Sequence, residues 1–310
     1  MKAGILVMNF GGPQSQEQLV PFLTLLLGDV LPIWGFLKPF TVPFIARRRA
    51  VHIGPKYAEI GWSPIVPQTD ELADALALAL GGKSPPIAIA MMFSPPSMAD
   101  GIARLRKKGV DKIIALGLFP HESFATSRAA NGFLRDALPS DVECVIIDPF
   151  YSNEAYIEAL AKSIRQGVAN TPGDGELHLL FSPHGLPQSF VDRGDPYPEH
   201  IKASVKLVLQ KLDWKGPWHL GWQSRVGPTK WLEPSTTNEV LRMGREGVNR
   251  VCVVPISFIC EGIETLHELD IELAEEVRAA GIEHYGRAPA LGADNDEMIR
   301  CLVELVTPQL

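Results

Sequence analysis

Residues 177–187, which read LHLLFSPHGLP, decide the fold of this chain. A short apolar run without alternation is typical of a strand that is buried on both faces of a parallel sheet. The run ends in a turn that contains Pro and Gly and carries the polar residues Ser182 and His184. Because ligands of open parallel sheets bind beyond the carboxyl ends of the strands, this turn is a candidate site.

Similar apolar runs recur along the chain, with helical patterns between them. The predicted strands are Ile5–Met8, Ile87–Met92, Ile113–Phe119, Val145–Ile147, Leu177–Phe181, His219–Trp222, Val251–Ile256 and Glu283–Tyr285. The predicted helices are Gln16–Leu27, Asp70–Leu80, Met98–Lys107, Ser127–Leu138, Asn153–Gln166, Glu199–Leu212, Thr237–Arg245, Ile263–Ala280 and Asn295–Val306. This alternation indicates βαβ units, and therefore an α/β fold with parallel sheets.

The two halves of the chain resemble each other. Residues 109–112 (GVDK) precede one predicted strand and residues 247–250 (GVNR) precede another. We interpret this as a degenerate duplication, and 310 residues are enough for two domains. The predicted domains are residues 1–150 and 151–310, with a ligand cleft between them; the last helix could pack back on the first domain.

Composition narrows the function. The net charge of −7 disfavours a nucleic-acid partner. The four cysteines, at 144, 252, 260 and 301, form no CxxC pair, and they fit a reduced cytosol. No signal peptide is predicted, so we expect a cytoplasmic protein.

The segment 19–45 is the most apolar part of the chain, but prolines and charges interrupt it. A membrane span needs about 20 apolar residues, so this segment is not predicted to cross a membrane. It could be part of the core. It could also form an apolar lid over a cleft, and residues 19–40 could then touch a membrane surface. The oligomeric state is not predicted.

His184 and Glu264 are the leading candidates for chemistry. Histidine can accept a proton near neutral pH or bind a transition metal, although a single histidine is more often structural. Glu264 opens a predicted helix that continues with Glu268, Glu272 and Glu276, four residues apart. Such a row is most simply a solvated face. It could instead form a ridge that conducts a divalent cation or protons into the cleft.

Several aromatic side chains fall near predicted strand ends, where they would suit a large flat apolar ligand. They are Phe10, Trp62, Trp222, Trp231 and Phe258. Arg48, Arg49, Ser63 and Ser123 could bind carboxylates of such a ligand.

Motifs in order along nearly the whole chain carry a family resemblance. They are residues 6–13 (LVMNFGGP), 44–49 (FIARRR), 57–65 (YAEIGWSPI), 182–187 (SPHGLP), 193–198 (RGDPYP), 222–228 (WQSRVGP), 231–232 (WL), 263–266 (IETL) and 268–272 (ELDIE). Together they resemble ferrochelatase, which inserts ferrous iron into a porphyrin. Phe10 in the first motif resembles the protoporphyrin type, since coproporphyrin-type members tend to carry Tyr there.

The resemblance implies two flavodoxin-like halves of the class II chelatase kind, closing on a porphyrin. The implied reaction inserts Fe²⁺ into protoporphyrin IX, gives protohaem and releases two protons, as the last step of haem biosynthesis. His184 and Glu264 match the cleft pair of the family, and their separate roles stay open. The resemblance places Tyr57 among the substrate-binding residues and Glu268 and Glu272 in a proton or metal relay. No organic cofactor is implied, and an iron–sulfur cluster is not expected because a Cys-rich tail is absent.

The chain departs from the family pattern at three places. Gly262 stands where a His is usual, Met92-Phe93 replaces Arg-Tyr, and His121-Glu122 replaces Gln-Tyr. His121 and Glu122 could compensate for the lost groups. Two alternatives therefore stay open: a chelatase for coproporphyrin III or another metal, and a porphyrin or haem carrier without turnover.

Overall fold

Among the residues that the structure describes, eight strands pair into two parallel sheets of four. The computed structural model describes residues 1–31, 35–225, 227 and 229–310. The strands are β1 (Ala3–Asn9), β2 (Ile87–Met91), β3 (Lys112–Gly117), β4 (Glu143–Ile146), β5 (His178–Phe181), β6 (Trp218–Leu220), β7 (Arg250–Val254) and β8 (His284–Arg287). The sheet orders are β2-β1-β3-β4 and β6-β5-β7-β8, which repeat one pattern and confirm the predicted fold class.

Helices connect the strands, as parallel pairing requires. They are α1 (Gln16–Val30), α2 (Lys38–Glu59), α3 (Ile65–Leu80), α4 (Met98–Lys107), α5 (Ser127–Ala137), α6 (Glu154–Asn170), α7 (Gln188–Asp192), α8 (Tyr197–Leu212), α9 (Thr236–Arg245), α10 (Ile263–Leu266), α11 (Ala274–Ala279) and α12 (Asp296–Val306). A π-helix at Glu268–Leu273 separates α10 from α11, and short 3₁₀ turns lie at Gly81–Lys83 and Thr307–Gln309. None of the described helices is both long and apolar enough to cross a membrane.

The chain divides into two compact units. The first consists of residues 1–118, 129–147 and 306–310, and the second of residues 119–128 and 148–305. In each unit an inner strand contains a fully buried stretch: Ile5–Val7 of β1 and Leu179–Phe181 of β5 are 0% exposed. These apolar runs of the sequence therefore form strands that are covered on both faces of the sheet.

Two predictions about helices need correction. The sequence predicts one helix over Ile263–Ala280, whereas the structure has α10, the π-helix and α11. Helix α2 is not predicted from the sequence, because Pro39 and Pro43 read as breaks; the helix also contains Pro55. In the apolar segment 19–45, α1 reaches Val30 and α2 begins at Lys38; residues 32–34 lie outside the described part of the chain.

Candidate functional site

The turn after β5 holds His184 in one tautomer. Its backbone N–H donates to Ser257 Oγ at 3.2 Å, and its Nδ1 lies 2.6 Å from the Gly185 carbonyl oxygen. A carbonyl can only accept, so Nδ1 carries the proton and Nε2 keeps a free lone pair. The half-buried imidazole can therefore accept a proton or bind a metal ion through Nε2.

Gly185 allows two tryptophans to pack on this turn. A Cβ atom at this position would lie 2.7 Å from the Gln223 carbonyl oxygen, 3.4 Å from the Trp231 ring and 3.5 Å from Trp222 Cβ. Trp231 also forms a backbone bridge with Pro187. The structure thus brings both predicted substrate-binding tryptophans to the His184 turn, with Trp222 only 5% exposed.

Gln223 joins the segments that carry His184 and Glu264. Its carbonyl oxygen accepts the Gly185 N–H at 2.8 Å, and its side-chain Nε2 donates to the Glu264 carbonyl oxygen at 3.1 Å. Its Oε1 accepts the Ser182 hydroxyl at 2.9 Å. With every polar end occupied and 6% exposure, this side chain fixes the two segments relative to each other.

Glu264 lies in the short helix α10 and is half-buried. The helix begins after Gly262, whose N–H donates to Thr265 Oγ1 at 2.9 Å. Gly262 stands where the resemblance leads one to expect His, and here its backbone donor is satisfied by the threonine hydroxyl. The His184 imidazole and the Glu264 carboxylate are both groups that can receive a metal ion or protons.

The glutamates beyond Glu264 follow the π-helix. The Glu272 N–H donates to the His267 carbonyl oxygen at 3.0 Å, a bond to the fifth residue back. A π-helix fits more residues into a turn than an α-helix does. Glutamates four residues apart therefore advance by less than one full turn in the π-helix, whereas in an α-helix they advance by slightly more than one turn. The prediction that one α-helix carries these glutamates in a row is therefore wrong, because α10, the π-helix and α11 share them.

Glu268 and Glu272 have neighbours of their own. Glu268 Oε2 accepts the Ser224 hydroxyl at 2.5 Å, and Ser224 has a left-handed backbone with φ of +66°. Glu272 Oε1 lies 3.7 Å from His267 Nδ1. Because Ser224 adopts an unfavourable backbone conformation while its hydroxyl binds Glu268, local strain is retained at this contact.

Tyr197 contacts two residues that pack against the His184 turn, Trp222 and Ser257. Its ring lies 6.0 Å from Trp222, and its hydroxyl is hydrogen-bonded to Ser257, which also receives the His184 N–H. Burial raises the pKa of Tyr197, so the phenol stays neutral.

Asp195 is a buried carboxylate that organises two loops. It is 4% exposed and accepts hydrogen bonds from the Ser123 hydroxyl at 3.0 Å, from Phe124 N at 2.8 Å and from Tyr197 N at 3.0 Å. The Ser123 hydroxyl, predicted to bind a ligand carboxylate, donates here to a carboxylate of the chain itself. Ser123 is 1% exposed.

His121 and Glu122, the predicted compensating residues, have different surroundings. His121 is 2% exposed, and its Nε2 lies 3.0 Å from Ser204 Oγ, which donates to Tyr151 O. Nε2 therefore carries the proton, while the buried Nδ1 has no hydrogen-bond partner among the described residues. Burial, and then the charge of His200, lower the pKa of His121 to about 3. The Glu122 carboxylate lies 2.6 Å from Arg128. Compensation by these residues stays a prediction.

The first unit holds the other predicted ligand-binding residues. The Phe10 ring packs edge-on against Phe93 at 4.8 Å, and the Tyr57 ring stacks on Trp62 at 6.3 Å. Ser63 is 5% exposed, and a Cβ on Gly12 would lie 2.2 Å from its hydroxyl oxygen.

Two arginines of α2 complete that set: Arg48 is exposed above the Phe44 ring at 5.7 Å, and Arg49 is half-buried. In the second unit Phe258 is half-buried, four residues beyond the end of β7.

Other groups that could bind a metal are scattered. Within the described ranges no three His, Cys, Asp or Glu side chains are close enough to form a metal site. The four cysteines are free thiols. Burial raises the pKa of Cys252 to about 11 and that of Cys301 to about 12, which makes both poor ligands.

The sequence alone does not indicate the roles of several of these residues. Gln223, Ser224 and Asp195 lie in quoted motifs, but no role was assigned to them, and Ser257 was not singled out. The available signal was their position: Gln223 and Ser257 follow the ends of β6 and β7, the two neighbours of β5 in the sheet.

Comparisons with known proteins agree with one another. The family model described as ferrochelatase matches residues 2–310. A ferrochelatase of Geotalea uraniireducens is 40% identical over 98% of this chain and 97% of its own length. One of Synechocystis is 35% identical over all of this chain and 83% of its own.

Among solved structures, SirB from Bacillus subtilis with Fe³⁺ has a TM-score of 0.56 at 13% identity, covering 99% of this chain and 95% of that one. CbiX, described as the terminal enzyme for biosynthesis of siroheme in denitrifying bacteria, has a TM-score of 0.55 at 13% identity, with 99% of both chains covered. At this identity the two structures support the fold alone.

Proposed function

The chain belongs to the ferrochelatase family, and on this premise we propose that it inserts Fe²⁺ into protoporphyrin IX to give protohaem. It is then a porphyrin metal chelatase, a lyase of haem biosynthesis. In the reaction the two pyrrole N–H bonds break and release two protons as all four ring nitrogens bind the iron, so a group that accepts protons is needed at the ring centre.

The free Nε2 of His184 is the observation that carries this proposal. The Gly185 carbonyl holds the proton on Nδ1, so Nε2 is ready to accept a pyrrole proton without a change of tautomer. Gln223 anchors the Glu264 backbone to the same turn. Glu264 then supplies a carboxylate for the arriving cation or for the released protons, and Glu268 and Glu272 continue the relay.

The walls of the site suit a flat ligand. Trp222 and Trp231 pack on the His184 turn around Gly185, and Tyr197 supports Trp222. Rigid aromatic walls can hold a macrocycle bent, which exposes a nitrogen lone pair to the metal.

The choice of protoporphyrin rests on Phe10. Its ring packs on Phe93 and offers no hydroxyl group to a further propionate. We propose Arg48, Arg49, Ser63 and Tyr57 as partners of the two propionates and the ring edge. A coproporphyrin would bring two more carboxylates, which these cations would have to accommodate.

The test is anaerobic insertion by the purified protein. Fe²⁺ and protoporphyrin IX are mixed with enzyme, and loss of the free-base spectrum is followed. We expect conversion by wild type and at least a hundredfold loss of kcat in His184→Ala and in Glu264→Gln. The matched controls are the exposed His52→Ala and Glu275→Gln, which should retain wild-type rates.

The other readings give different results in this assay. Faster conversion of coproporphyrin III would show that this porphyrin, and not protoporphyrin IX, is the substrate. Conversion only with Co²⁺ or Zn²⁺ would show that the metal is not iron. Tight porphyrin binding without any conversion would establish a carrier. Full activity in His184→Ala would refute the proposed proton acceptor.

We further propose that the protein is cytoplasmic and touches a membrane through the residues around α1 and α2. Phe36 is 68% exposed, Phe40 78% and Phe44 60%, and the exposed cations Arg47 and Arg48 follow. Exposed aromatic rings beside cations suit an anionic lipid surface. Wild type should sediment with phosphatidylglycerol vesicles, and Phe40→Ser/Phe44→Ser should not; equal sedimentation of the two proteins would refute this contact.

A further inference from the structure

A groove outside the proposed site lies between α8 and the edge strand β6. It has a volume of about 510 Å³ and is lined by α8, the loop that follows it and β6. We call it the α8 groove; Trp214 and Trp218 form its aromatic walls, and its charged rim consists of Lys202, Lys206, Lys215 and Asp213. Trp218 pairs with Leu179 near the start of β5, whereas His184 follows the end of that strand. The lining continues to Leu220, which pairs with Phe181 at the end of β5, and it contains none of the residues of the proposed site.

The aromatic walls are held in place. Trp214 Nε1 donates to the Pro217 carbonyl oxygen at 3.3 Å, and its ring lies so close to Gly216 that an added Cβ would be 3.1 Å away. Trp218 packs edge-on against Phe181 at 6.2 Å, yet 47% of its surface stays exposed. Two fixed indole rings with exposed area favour a ligand that is itself flat and apolar.

The rim supplies positive charge in a protein whose net charge is −7. Lys202 and Lys206 are one helical turn apart on α8, and Lys215 follows Trp214. Lys202 pairs with Glu199 at 2.8 Å and Lys215 with Asp213 at 2.6 Å, and all four side chains are more than half exposed. Exposed pairs of this kind contribute about 1 kcal/mol or less, so the ammonium groups can turn to a ligand carboxylate instead.

We propose that the α8 groove binds a planar apolar molecule that carries carboxylates. The choice of ligand class rests on the proposed function, since porphyrins and haem are flat dianions of this kind. The volume falls in the range of roughly 300–1,000 Å³ that is usual for small-molecule sites. The groove would hold such a poorly soluble molecule away from the reacting residues.

The test uses haemin, which already contains iron and cannot be a substrate for insertion. Wild type is titrated with haemin, and the change in absorbance is followed. We expect two binding events per chain. Lys202→Glu/Lys206→Glu should weaken one event at least tenfold and leave insertion of Fe²⁺ into protoporphyrin IX within twofold of wild type. Trp218→Ala should weaken the same event.

The matched control reverses two exposed cations on α4, Arg104→Glu/Lys107→Glu, with the same change in net charge, and should keep both events. A single binding event in wild type, or two unchanged binding events in the Lys202/Lys206 variant, would overturn the proposal that the α8 groove binds this ligand. Equal weakening in the α4 control would also overturn it, because long-range charge would then explain the effect. These outcomes are separate from the insertion assay, whose failure in wild type would refute the proposed function and leave the titration unaffected.

Discussion

Lowering the pH from 7 to 5 should destabilise the protein through His121. This imidazole is 2% exposed, and burial, with the charge of His200 as a second cause, lowers its pKa to about 3. In the unfolded chain a histidine titrates near pH 6.5. The folded protein therefore keeps His121 neutral while the unfolded chain takes up a proton as the pH falls through 6.5.

The size of the effect follows from the gap between these two values. The folded pKa is depressed, so the stability present above pH 6.5 is lost progressively between pH 6.5 and 3. Each pH unit in this window costs about 1.4 kcal/mol. At pH 5 the loss from His121 alone is thus about 2 kcal/mol, out of a total free energy of unfolding that is usually about 5–15 kcal/mol.

Urea unfolding at pH 7 and pH 5 measures this loss, with His121→Gln as the partner variant. The glutamine amide can replace the imidazole N–H that Ser204 accepts, but it does not titrate. Wild type should lose about 2 kcal/mol more than the variant between the two pH values. The exposed His52→Gln control should behave as wild type. Equal losses in wild type and His121→Gln would refute the reasoning.

Two further predictions concern contacts of the second unit. Gly185→Ala should lower the free energy of unfolding by about 1–3 kcal/mol in urea titrations, because the new methyl would lie 2.7 Å from the Gln223 carbonyl oxygen; unchanged or higher stability would contradict the close approach. Arg287 binds Asp270 at 2.6 and 2.8 Å and Glu261 at 3.0 Å. Arg287→Gln leaves both carboxylates without this cation and should cost about 3 kcal/mol, seen as a lower thermal midpoint than in wild type; an unchanged midpoint would argue against this network.

Strands β1, β2, β3, β5 and β7 could be predicted because most of their residues are buried, and a flat apolar run is a direct signature of a strand buried in a parallel sheet. Helix α2 could not, because three prolines lie in its sequence. Pro39 is in the first turn, where no N–H is needed. Pro43 and Pro55 each remove one helical hydrogen bond, and burial of residues such as Val42 and Ala46 outweighs that loss.

The site was predictable only in part, for a related reason. His184 follows one predicted strand and Trp222 ends another, so the rule for strand ends indicated both. The roles of Gln223 and Ser257 depend on β6 and β7 being the two neighbours of β5, an order that no local pattern encodes. The break of the helix beyond Glu264 into a π-helix could not be predicted either, since the apolar residues Leu266, Leu269, Leu273 and Val277 keep the spacing of an α-helix through it.

The division of the chain into units has a consequence for its genetics. Residues 119–128 are embedded in the sequence of the first unit but belong to the second, and residues 306–310 return to the first. A gene split after codon 150 would therefore encode two incomplete pieces. The C-terminal product would lack Ser123 and Phe124, and Asp195 would lose two of the three donors that solvate its carboxylate. If the halves arose by duplication, segments of each now belong to the other unit, and a single cut near codon 150 no longer separates two self-contained copies.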